Sequence, residues 1–97
     1  MSKRHFYIAV QNKFNAWATI YCGTSLPKMS KAYAYLEYHL GKYCYKLKLD
    51  EDTNYDPDCG AFSTYESVFG KKPELDSELD FDKRLAAIRK EFGKEAD

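Results

Sequence analysis

These 97 residues lack most of what catalysis is built from. The five glycines, at 23, 41, 60, 70 and 93, stand alone, so no loop can cradle a phosphate through consecutive backbone amides. Cysteines occur only at 22, 44 and 59. No two make a CxxC pair, which excludes the usual structural zinc spacing, and an odd, scattered count argues against a disulfide framework. Such usage fits a reducing cytoplasm. Of the two histidines, His5 and His39, neither is spaced to activate a cysteine, and no GxSxG elbow presents a serine. No apolar run approaches a membrane span, and the opening MSKRHFYIAV has no signal-peptide pattern. The expectation is a soluble intracellular chain with no catalytic, cofactor or metal residues: a binding protein, not an enzyme.

The acidic run invites one test for calcium. Asp50, Asp52, Asn54, Asp56 and Asp58 alternate as ligands of a helix-loop-helix site would. Tyr55 then occupies the position that needs glycine, and Ala61 the position that needs a closing glutamate. The reading is a solvated acidic loop.

What the chain has in surplus is tyrosine, nine residues beside six Phe and one Trp. A tyrosine ring buries well while its hydroxyl stays wet, which suits the margin of a thin core or a contact surface. A hydrophobic fraction of 44% supports one folded domain over 1–97, with a modest core. Net charge is zero but unevenly divided. Residues 1–49 hold eight bases against the single acid Glu37, a net +7; residues 50–97 hold fourteen acids against seven bases, a net −7. Either the halves neutralise each other internally, or a two-signed surface faces a partner.

Periodicity predicts an α+β fold: a small antiparallel sheet of about three strands in ββαβ order, then an acidic loop and one or two C-terminal helices. Phe6, Ile8 and Val10 alternate with His5, Tyr7 and Ala9 as a first strand, Gln11-Asn12-Lys13 turns, and a second strand runs from Phe14 to Cys22. A helix from Met29 or Ser30 carries Ala32, Tyr35, Leu36, His39 and Leu40 on one face and stops at Gly41. Tyr43, Tyr45, Leu47 and Leu49 then alternate as a third strand. After the loop from Asp50 to Gly60, residues 63–69 form a short helix ended by Gly70. A last helix runs from Asp76 or Ser77 to Gly93, with Leu85, Ile88 and Phe92 as its stripe and Leu79 or Phe81 joining it. Its acids lie early and its bases late, as the helix dipole favours.

Three surfaces are candidates. The acids Asp50, Glu51, Asp52, Asp56 and Asp58, with Asp76, Asp80 and Asp82, could imitate a phosphate backbone and occupy the basic groove of a nucleic-acid-processing complex. Small non-catalytic chains of this kind, phage anti-defence proteins among them, commonly act as inhibitors or adaptors; the analogy is one of size and composition. This inhibitor reading, with a protein partner, comes first. The alternative is a sheet face on which Tyr7, Trp17, Tyr21, Lys46 and Lys48 bind single-stranded nucleic acid, rings stacking on bases and ammonium groups holding phosphates, with His5 and Cys44 beside them. That face is available only if the last helix and the Phe62–Phe69 segment pack elsewhere. Third, Tyr33 and Tyr38 stand off the buried face of the first helix and could anchor a partner, a second copy of the chain included, with which the edge of the third strand could also pair.

Overall fold

The computed structural model describes residues 4–52 and 64–97. Six elements follow one another: β1 (His5–Gln11), β2 (Trp17–Gly23), α1 (Leu26–Gly41), β3 (Leu47–Asp52), α2 (Tyr65–Phe69) and α3 (Asp76–Phe92). The three strands form one antiparallel sheet in the order β2-β1-β3. This is the α+β class and, through β3, the ββαβ order expected from the sequence. The acidic loop from 53 onward and residue 63 lie outside the described residues.

Apolar residues at every second position make β1 central. Phe6, Ile8 and Val10 are all buried, and all point to one face. On that face α1 lays Met29, Ala32, Leu36 and Leu40, spaced by three and four, and each is fully buried. From α3 come Phe81, Leu85 and Ile88, and from α2 Tyr65; all join the same core cluster. Phe81, not Leu79, belongs to the stripe, since Leu79 is 52% exposed. Rings at the α2–α3 contact meet edge-on or tilted, with Tyr65–Phe81 and Phe69–Phe81 centroids 5.7 and 5.5 Å apart. All three described helices therefore bury their apolar residues in the core on one side of the sheet.

Element ends differ from expectation for local reasons. α1 starts at Leu26, not Met29, because the Ser25 side chain accepts from the Lys28 amide and Pro27 sits in the first turn, where its missing N–H costs nothing. α1 ends at Gly41 as expected, but without a left-handed glycine. The chain stays helical to Lys42 and reverses through a turn whose left-handed residue is Cys44, at φ 68°. β3 thus begins at Leu47, and Tyr43 and Tyr45 belong to the turn. β2 likewise starts at Trp17 and not at Phe14. The Asn12 side-chain carbonyl accepts from the Phe14 and Ala16 amides, and Asn15 takes φ 61°, so residues 12–16 are hairpin turn. α2 is capped by a reciprocal Thr64–Ser67 pair and stopped by Gly70 at φ 79°.

One irregularity decides which side chains face where. Ile8 pairs with Tyr21 but Ala9 pairs with Thr19, so Ile20 is an extra residue in β2. Before the bulge, Ala18 faces the helices and Trp17 faces away. Beyond it the alternation is inverted, and Tyr21 turns into the core, where it is fully buried.

Candidate functional site

The sheet face opposite the helices carries His5, Tyr7, Ala9 and Gln11 from β1, Trp17, Thr19 and Cys22 from β2, and Lys48 and Asp50 from β3, as the pairing registers require. Lys48 sits directly across from Ala9, whose small side chain leaves room over the central strand. The Lys48 ammonium reaches across it to lie 4.8 Å from the Trp17 ring centre and 5.7 Å from that of Tyr7. Ala9 is only 1% exposed although no described helix covers it. Trp17 retains 44% exposure. The last helix, which the sequence left free to cover this face, packs on the other.

Tyr7, Trp17 and Lys48 are therefore brought together as the sequence reading expected, and Lys46 is exposed just before β3, its carbonyl accepting from the Gln11 amide at 3.0 Å. Tyr21 does not belong with them. Its hydroxyl donates to the Gly93 carbonyl at 2.8 Å, and burial pushes its pKa up to about 12. The cause is the bulge, which strict alternation from Trp17 could not show. Cys44 leaves the strand face for the turn, where it is exposed.

The face continues into a second feature. A groove of about 360 Å³ opens where the hairpin turn meets the α1–β3 turn, lined by Gln11, Asn12, Lys13, Asn15, Tyr43, Cys44, Tyr45, Lys46 and Phe69. Around it lysines pair with rings: Lys13 with Phe14 at 5.1 Å and Lys42 with Tyr43 at 5.0 Å. Phe14 is 76% exposed. Lys13, Lys42, Lys46 and Lys48 form no ion pair with any described residue. Four of the eight bases of residues 1–49 thus stand here without an ion-pair partner among the described residues, while Arg4 is paired with Glu51. Sequence reasoning passed over Lys13, Phe14, Lys42 and Tyr43, although each lysine directly precedes its ring in the chain, a signal that was available.

The acids behave differently. Glu51 is held by Arg4 in a two-pronged contact at 2.9 and 2.8 Å, which lowers the glutamate pKa and raises that of the arginine. Asp80 pairs with Arg84 at 3.0 Å, and Asp82 accepts from the Tyr65 amide at 2.7 Å, fixing α2 to α3. Asp50 and Asp76 are exposed. Asp52 ends β3, its side chain outside the description, and Asp56 and Asp58 lie outside the described residues. The buried acid is Glu78, which the sequence reading did not single out. Its carboxylate accepts from the Leu75 and Glu74 amides at 2.9 and 3.2 Å and from the Tyr65 hydroxyl, and Lys71 stands 3.0 Å away.

On α1, Tyr38 is 79% exposed, as expected. Tyr33 is not free: it is half-buried, and its hydroxyl donates to the Leu47 carbonyl at 3.3 Å, because α1 packs beside β3. Among the described residues no group of three His, Cys, Asp or Glu is placed to hold a metal ion, and no described helix is long and apolar enough to cross a membrane. No protein-family model, curated protein or solved structure matches the chain.

Proposed function

We propose that this protein is a non-catalytic binding module, working in a reducing cytoplasm, that takes single-stranded nucleic acid on the open face of its sheet. One observation carries the reading: the Lys48 ammonium stands between the Trp17 and Tyr7 rings on a face that no described helix covers. A base stacks on an aromatic ring whatever its identity, and an adjacent ammonium meets the phosphate that follows the base. The unpaired lysines at the turn end extend the positive surface along the path a strand would take.

The acidic-mimic reading has less support. Of its described acids, Glu51, Asp80 and Asp82 are spent on Arg4, Arg84 and the Tyr65 amide. Edge-to-edge pairing of two copies through β3 is disfavoured by the charges that strand carries, Lys48, Asp50, Glu51 and Asp52 among six residues.

The test is a fluorescence titration of Trp17 with a short DNA or RNA strand at low and moderate salt. Saturable quenching that weakens with salt is expected. With a labelled strand, Trp17→Ala should cost about 1–3 kcal/mol, roughly 5- to 150-fold in affinity. Unchanged emission at every concentration, or unchanged affinity in a folded Trp17→Ala chain, refutes the proposal.

A further inference from the structure

The groove at the turn end is chemically distinct from the sheet face yet continuous with it. Gln11 belongs to both: it pairs with Trp17 across the sheet, and it lines the groove. Its amide also donates to the Lys46 carbonyl at 3.0 Å, which ties the two turns together. The groove lining contains two lysines, three side-chain amides and three aromatic rings, and no carboxylate. Of the amides, Asn12 has its oxygen engaged by the Phe14 and Ala16 N–H groups, so its NH2 is the end left for a ligand. An anionic group with a flat ring attached matches such a lining by charge and by shape.

We infer that this groove seats one nucleotide of the bound strand, with its phosphate held by Lys13 and Lys46, beyond the bases stacked at Trp17 and Tyr7. The inference rests on the single-strand reading above and adds to it a path: the strand leaves the sheet over Gln11 and enters the groove between the two turns. The occupant is a nucleotide of that strand and not an acidic peptide, because the groove opens at Gln11, the residue paired with Trp17 on the sheet face, and sets the Tyr43 ring among its lysines and amides.

Cys44 supplies an independent reporter. It is exposed and lines the groove, whereas Cys22 is buried. The full chain is alkylated with iodoacetamide, with and without an oligonucleotide long enough to span sheet and groove, and Cys44 is followed by peptide mass spectrometry, which separates it from Cys59. Trp17 quenching is read in the same samples. At an oligonucleotide concentration ten times Kd, only unliganded chain should react at Cys44, slowing it by a factor of about eleven. Lys46→Ala should weaken binding and reduce the logarithmic salt dependence by about 0.7 per lost phosphate contact, with Lys13→Ala doing the same. Quenched Trp17 with Cys44 alkylated at its free rate overturns the groove inference and leaves the sheet reading standing. So does protection of Cys44 with the salt dependence unchanged in both lysine variants, since the groove then closes without holding phosphate. If neither Trp17 nor Cys44 responds, the sheet reading fails and this inference fails with it.

Discussion

Replacing Gly23 by alanine sets a methyl group against the backbone of the chain's other end. Gly23 ends β2 and forms an isolated parallel bridge with Ala96. A Cβ built on Gly23 lies 2.2 Å from the Ala96 carbonyl oxygen and 2.7 Å from the Ala96 Cβ, well inside van der Waals contact. That carbonyl cannot easily move, because it accepts from both the Thr24 and Ser25 amides at 2.9 Å, while the Ala96 amide donates to the Cys22 carbonyl at 3.1 Å. Overpacking against a fixed neighbour costs about 1–3 kcal/mol. In a domain of this size each kcal/mol lowers Tm by roughly 4–8 °C, so a fall of about 4–24 °C is expected in a thermal melt followed by circular dichroism. The control changes the sign. In a chain ended at Lys94 the clash is gone, and trading a strand glycine for alanine should stabilise by roughly 0.5–1 kcal/mol. The reasoning is refuted if Gly23→Ala raises Tm in the full chain, or lowers it equally in both backgrounds.

Two further outcomes follow from the buried polar contacts. Four donors hold the Glu78 pKa down at about 2, the Tyr65 hydroxyl foremost, against an ordinary value of 4.5. The folded pKa lies below the unfolded one, so the carboxylate's stabilisation is complete above pH 4.5 and disappears as pH falls towards 2. Urea midpoints measured across that window should drop steeply in the native chain and less steeply in Glu78→Gln. Tyr21→Phe keeps the buried ring but loses the hydrogen bond to Gly93, and should cost about 0.5–1.5 kcal/mol in urea unfolding without altering Trp17 emission.

The fold was legible wherever a period was long and unbroken. Phe6, Ile8 and Val10 announced β1, and Ala32, Leu36 and Leu40 announced α1, because burial on one face leaves its period in the sequence. The starts of α1 and β3 were obscured by local chemistry: Ser25 caps the helix before its apolar stripe begins, and Cys44 takes the left-handed position that Gly41 was expected to fill. Half of the candidate site was visible, since Tyr7, Trp17 and Lys48 needed only strand parity. Tyr21 was misassigned because an inserted residue changes parity without changing composition. The anchoring of Tyr33 on Leu47 depends on how α1 lies against β3, which no local pattern records.

The bulge at Ile20 inverts the parity of β2 partway along the strand. Trp17 and Thr19 lie on the open face with Ala18 turned inward, whereas Tyr21 and Gly23 lie on the core side with Cys22 turned outward, and the extra residue absorbs the mismatch. A strand in strict register from Trp17 would have set Tyr21 outward beside Trp17 and Thr19. The inserted isoleucine instead gives the core a tyrosine whose hydroxyl ties β2 to the Gly93 carbonyl at the end of α3.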